Sequence, residues 1–441
     1  MLRKCSLRLL LVLVFLVPAL VLATGSGRAD DRDHERNRGA VRLLKTIPIP
    51  VNPAAVPPVV PLVAFDISWV DPDTQLYYLA DRSNKAIDVI DAKHGTFVRQ
   101  IHGNPGPFKG FTGNNDTSGP NGVVVSGHFL FVTDAPSRVV TIDLRTDQIV
   151  SDVSTGGGVD RATGLGLRTD ELAYDPRDGI ILAVNNADNP PFATLINVNT
   201  QNGHLTLGPK ITFMDATNGA EQPVWEPKSR RFYISIPEVN GVTSDGAVKK
   251  INPHTGAVEA TFLVKFCQPA GLTVGPKQDL LLGCSVVFNS NPAGAEPWTG
   301  LTDPFTAAPT QVIMDAKTGE IDKVVAGVGG SDEVWFNRGD GLYYTASRAN
   351  PGAVPNGANP QTSPVLGVID AESQTLIQVV PTFNTPNPTL PAPRGTAHSV
   401  AVNPHNNHVF VPLPKNNVFP DCLGGCIAVF GTPRGEHEDE H

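Results

Sequence analysis

Six residues, widely separated in a chain of 441, share one position relative to the turn that follows them. Asp66, Asn121, Asp170, Glu221, Asp332 and His398 each stand five residues before the close of a short apolar run, at Asp71-Pro72, Ser126-Gly127, Asp175-Pro176, Glu226-Pro227, Asn337 and Asn403-Pro404. Ala270, before Gly275-Pro276, is a seventh member with no functional group. The other six can ligate a metal or move a proton. Carboxylates brought together repel and resist ionisation, and a bound divalent cation relieves that repulsion. Carboxylate and amide oxygens suit a hard ion such as Ca2+. Asp66, Asn121, Asp170, Glu221 and Asp332 are therefore the metal-ligand candidates. His398 is the catalytic candidate, a general base. The alternative is a wet polar mouth in which these side chains bond water and His398 is a hydrogen-bonded strand-start histidine. A register shift of one residue would bring in Glu171, Gln222 and Glu333, which are also polar.

These positions matter only if the chain brings them together, and a repeat gives the reason to expect it. Ala86-Ile87-Asp88-Val89-Ile90-Asp91, Val139-Val140-Thr141-Ile142-Asp143, Val248-Lys249-Lys250-Ile251-Asn252, Val312-Ile313-Met314-Asp315 and Gly367-Val368-Ile369-Asp370 are β-branched runs. Each ends in Asp or Asn, then a polar turn, then a second short apolar run, which is the pattern of a hairpin. A further pair of strands precedes each hairpin; Leu76-Tyr77-Tyr78-Leu79-Ala80-Asp81 corresponds to Phe129-Leu130-Phe131-Val132-Thr133-Asp134 and to Leu342-Tyr343-Tyr344-Thr345-Ala346-Ser347. Seven such four-strand units imply an all-β chain, a seven-bladed β-propeller over residues 40–432. The first strand of each blade would line the axis, so the six residues would converge at one mouth.

The last unit has only three good strands. Residues 41–49 are an unassigned strand expected to supply its fourth, closing the ring and removing an exposed edge. The Pro-rich residues 50–61 then cross into the first blade.

Gly119-Pro120-Asn121-Gly122-Val123-Val124-Val125-Ser126, with the two strands after it, resembles a unit of the secreted YVTN-type β-propeller repeat proteins. The same stretch and Glu221-Gln222-Pro223-Val224-Trp225 are similar to SMP-30/gluconolactonase propellers. That resemblance implies a Glu, an Asn and an Asp as metal ligands, types matched here by Glu221, Asn121 and Asp332. Gln222 stands where that motif has Gly, the order along the chain differs, and those enzymes commonly have six blades. Two functions follow: a binding or scaffold propeller with an acidic axial pocket, or a metal-dependent lactonase or ester hydrolase. Its partner would be a small molecule, a glycan or a protein, and the chain a monomer.

Bulk properties narrow the classes. Gly (42) and Pro (40) are abundant and charged residues make up only 17%, which suits short strands and tight turns. Arg3, Lys4 and Arg8 followed by an apolar stretch to Leu22 read as a signal peptide over residues 1–23; an uncleaved anchor is the alternative. Residues 24–39 read as a charged linker. The net charge of −9 gives no footprint for nucleic acid, and no membrane contact is expected after cleavage. The even set Cys267, Cys284, Cys422 and Cys426 fits a secreted or periplasmic protein. Local pairs, Cys267 with Cys284 and Cys422 with Cys426, are preferred among three pairings. His437-Glu438-Asp439-Glu440-His441 matches a zinc motif literally, but lies in an acidic tail (433–441) expected to be disordered. The long inserts 104–119, 288–310 and 350–364 carry Phe108, Phe111, Trp298 and Phe305 as candidate caps over the mouth.

Overall fold

A strand that ends in Asp or Asn carries its own turn former, because the carboxylate or amide oxygen accepts the next backbone N–H groups. The computed structural model, which describes residues 39–52, 54–55, 58–289, 294–297, 309–351, 362–382, 398–416 and 419–433, uses this device after most first strands and in most hairpins. After first strands, Asp71, Asp175, Asn337 and Asn403 each accept the N–H two residues on, and Glu226 accepts from Lys228 and Ser229. In the hairpins, Asp91, Asn252, Asp315 and Asp370 each accept two successive N–H groups.

The protein is all-β, built from four-stranded antiparallel sheets, and its described helices are three single 3-10 turns. The first unit runs Ser68–Asp71, Leu76–Asp81, Ala86–Asp91 and Thr96–Ile101, paired in that order. Equivalent first strands are Val123–Ser126, Leu172–Asp175, Pro223–Glu226, Cys267–Val274, Ser331–Asn337 and Ala401–Asn403. The fourth and fifth units share one parallel bridge, Asp245 to Cys267. The fifth first strand begins at Cys267, earlier than the expected Gly271. Its extra residues follow the bulged pairing around Pro269 and the Cys267–Cys284 disulfide.

The expected N-terminal closure is present. Arg42–Pro48 pairs antiparallel with Cys426–Gly431 and completes the last sheet. Ile49 and Leu62 donate backbone hydrogen bonds to Gly425 and Gly424, so the crossover is tied to the last unit before it enters the first.

First strands touch in cyclic order, each unit to the next and Ala401–Asn403 back to Ser68–Asp71. The cores are shared likewise. Leu182 and Leu195 of the third unit pack with Phe232 and Ile234 of the fourth. Phe410, Val429 and Ile47 of the last pack with Tyr77 and Ile90 of the first. No unit buries its two faces alone, so stability resides in the interfaces.

Both expected disulfides form, Cys267–Cys284 and Cys422–Cys426. The first closes a 17-residue separation, and removing it by C267A/C284A is expected to cost about 3 kcal/mol. Urea denaturation checks this; an unchanged midpoint contradicts it.

Candidate functional site at the strand openings

Four of the six residues share one pattern of backbone hydrogen bonds. Asp66, Asn121, Asp170 and Glu221 each donate N–H to the second strand of their own unit, to Ala80, Thr133, Val184 and Ser235. The next residue donates across to the following unit: Ile67 to Asn121 O (3.2 Å), Gly122 to Asp170 O (3.0 Å) and Gln222 to Ala270 O (3.3 Å). Consecutive openings are thus stitched at one level. Gly122 and Gly271 show why the approach needs glycine. A Cβ at Gly122 would sit 2.9 Å from Asp170 O, and one at Gly271 would sit 2.3 Å from Asp332 O.

The side chains meet through cations that the sequence reading missed. Arg82, 2% exposed, donates Nε (2.9 Å) and Nη2 (2.7 Å) to Asn121 Oδ1 and pairs with Asp66. Arg168 Nη2 lies 2.8 Å from Asp170 Oδ2, and Nη1 3.6 Å from Asp66 Oδ2. Asn121 Nδ2 donates to Ser118 O and Thr169 O, so its amide is fully engaged. Arg348 Nη1 lies 3.0 Å from Asp332 Oδ2. His398 bridges the ring, with Nε2 2.9 Å from Asp66 Oδ1 and Nδ1 2.5 Å from Asp332 Oδ2. Five of the six residues therefore form one network with three arginines. Buried carboxylates are tolerated because each meets a guanidinium or imidazolium.

Glu221 is the exception. Its carboxyl has no hydrogen-bond or ion-pair partner among the described residues, and it is half-buried beside Asp170 and Asp332. Burial and then those two acids push it up to about 8, against the pull of Arg168 and Arg348. Burial likewise raises Asp170 to about 7, opposed by Arg168 and assisted by Asp66. Asp66 is lowered: burial opposes ionisation, but Arg82, His398 and Arg168 outweigh it. His398 rises to about 10, because Asp332 and Asp66 overcome the burial penalty on its cation. With both ring nitrogens directed at carboxylates, His398 is a clamped imidazolium. A general base needs a free lone pair, which this geometry does not offer.

Glu171, Gln222 and Glu333, the one-residue alternatives, form the next layer down. Gln222 Nε2 donates to Glu333 Oε2 (3.0 Å), and Gln222 Oε1 accepts from Leu272 N (2.6 Å). Burial, and then the opposing glutamate, raises Glu171 well above the carboxylate range; Glu333 is raised too, by burial and then Asp332.

Among the described residues no three His, Cys, Asp or Glu side chains are grouped to hold a metal. The oxygens of Asp66, Asn121 and Asp170 point at guanidinium groups, so this arrangement does not fit a Ca2+ cradle.

One long insert is described at this end. Residues 104–119 lie against the network: Phe111 N–H donates to Arg82 O and Arg168 N–H to Asp116 O. Phe108 is buried in the core, whereas Phe111 is 46% exposed. Trp298 and Phe305 lie outside the described residues, as do residues 1–38 and 434–441. The register places the flanks of the two other inserts at the same end, with Val287 opposite Cys267 and Ser347 opposite Ser331.

The raised acids make stability pH-dependent. A carboxyl with a raised folded pKa binds its proton more tightly when folded, so stability falls as pH climbs from the ordinary range through about 8 for Glu221. His398 adds stability that is complete below its ordinary value near 6.5 and is lost as pH rises through about 10. E221Q is therefore expected to differ least from the parent below about pH 4.5. Its relative advantage should grow with pH, by on the order of 2–4 kcal/mol through pH 8, and then level off. Urea midpoints across that range decide it; a pH-independent difference contradicts it.

A scan against protein-family models and a search of curated proteins gave no match to this chain.

Proposed function

We propose that the chain is an exported, seven-bladed β-propeller of the YVTN-repeat kind that binds a small ligand at the mouth formed by its strand openings. The ring reading is supported by the cyclic contacts of first strands and the pairing of Arg42–Pro48 with Cys426–Gly431. Export is supported by the N-terminal apolar segment and two disulfides; no described helix is long and apolar enough to cross a membrane.

One observation carries the binding reading: Glu221 is the single ring acid left unpartnered within a network that otherwise satisfies itself. At neutral pH its protonated carboxyl is a donor beside the exposed Arg348 guanidinium, which is 46% accessible, and the edge of Asp332. A neutral donor and a cation side by side suit a polar, oxygen-rich ligand such as a sugar derivative or small acid. The insert 104–119, tied to Arg82 and Arg168, gives it one wall.

The second reading is a lactone or ester hydrolase of SMP-30 type. It is favoured by the value near 8 at Glu221, which suits proton transfer near neutral pH. Elemental analysis of the purified mature chain, followed by a lactone and ester panel with and without chelator, separates the two. The binding reading expects sub-stoichiometric metal, an unchanged melting temperature in chelator and no turnover. Stoichiometric metal with chelator-sensitive hydrolysis would overturn it in favour of the enzyme.

A further inference from the structure

Beneath the layer of Glu171, Gln222 and Glu333, six of the seven first strands enclose a second space of different chemistry. It is a cavity of about 590 Å3, and none of the ring residues lines it. Its walls are mainly aromatic and aliphatic, with Trp69, Trp225, Trp335, Tyr174 and Phe336 prominent; Glu171 and Gln222 also line it, from the layer above. Trp69 and Trp335 meet edge to face at 5.1 Å. All three tryptophans are half-buried, packed on one side against the core. The cavity reaches the exposed residues Pro176, Pro227 and Arg338, so it opens at the turns that close the first strands, opposite the mouth.

Charge at this opening is mixed. The closing turns carry Arg177, Lys228, Arg230, Lys277 and Arg338, against Asp73, Asp178 and Asp340 and the strand-ending Asp71, Asp175 and Glu226. Arg177 lies 3.8 Å from Asp178. Lys228 and Arg338 have no carboxylate partner among the described residues, and Arg338 itself lines the cavity. An aromatic slot rimmed by an unpaired guanidinium repels organic cations. It also offers a neutral apolar molecule nothing for its polar rim.

We propose that this cavity binds an apolar monocarboxylate, its chain held between Trp69, Trp225 and Trp335 and its carboxylate on Arg338. The guanidinium fork matches a planar carboxylate in two parallel hydrogen bonds. At about 30 Å3 per water-sized group the cavity holds on the order of 20 such groups, enough for a medium-length acyl chain or a two-ring acid. The site is separate from the mouth and does not depend on the function assigned there.

Three of the four tryptophans line the cavity, so intrinsic fluorescence reports its occupancy. Titrating dodecanoate below its micellar range into the mature chain is expected to give a saturable emission change in the micromolar range. R338Q, with an unchanged melting temperature, should weaken it about tenfold, and dodecanol should bind the parent about tenfold more weakly than dodecanoate. No saturable change with dodecanoate would overturn the site. Dodecanol or R338Q binding that equals the parent with dodecanoate would overturn its assignment to a carboxylate.

Discussion

Removal of residues 41–49 is expected to abolish folding to a soluble monomer. This segment supplies the outer strand of the last unit, in register with Cys426–Gly431 from Arg42 to Pro48. It also buries Val41, Ile47 and Ile49, which are 4%, 3% and 2% exposed. Burying an aliphatic side chain is worth roughly 1.5–3 kcal/mol. Three of them amount to about 5–9 kcal/mol, against a typical total stability of about 5–15 kcal/mol. The deletion also bares the edge of Cys426–Gly431, a template for pairing with other chains. Size exclusion and a thermal melt by circular dichroism check this. Aggregated or unfolded product is expected; a soluble monomer with the parent melting temperature contradicts the closure.

The second large effect is at Arg82. Its side chain is 2% exposed and neutralises Asp66 while holding Asn121. Arg82→Met keeps the volume and removes the charge, leaving Asp66 and Asp170 with Arg168 as their remaining guanidinium. Breaking a buried pair from one side costs about 3–5 kcal/mol, because the partner charge stays buried. The R82M/D66N double variant should recover part of that loss. A coupling energy of about 1–3 kcal/mol is expected from urea denaturation of all four proteins. Strict additivity would show that the two side chains do not meet.

Much of this architecture was legible in the chain. The strand-ending Asp and Asn positions recur because each must cap a turn, and they set a register that placed Asp66, Asn121, Asp170 and Glu221 at one level. The N-terminal strand was legible by subtraction, since a three-stranded last unit leaves an edge to cover. The arginines were not found, because a residue's partner in another unit is set by how units stack. A signal was nonetheless present. Leu76-Tyr77-Tyr78-Leu79-Ala80-Asp81-Arg82 and Leu342-Tyr343-Tyr344-Thr345-Ala346-Ser347-Arg348 carry Arg at the same position of the repeat. That position lies just past the part of the second strand that pairs with its own opening. Once such arginines are counted, the repulsion that suggested a cation is relieved by the protein itself. Glu221 then stands out by lacking a partner.

Convergence of the strand openings is tested most directly by the titration of His398. The imidazole lies between Asp66 and Asp332, residues that are 332 and 66 positions away in the chain. Nitrogen-detected NMR of the full chain, with the His398 signals assigned by the H398Q variant, reads its protonation state. The expected result is an imidazolium that persists through pH 9 and titrates near 10. Titration near 6.5, the ordinary value for an imidazole in water, would mean that Asp66 and Asp332 do not face it and that the mouth is not assembled.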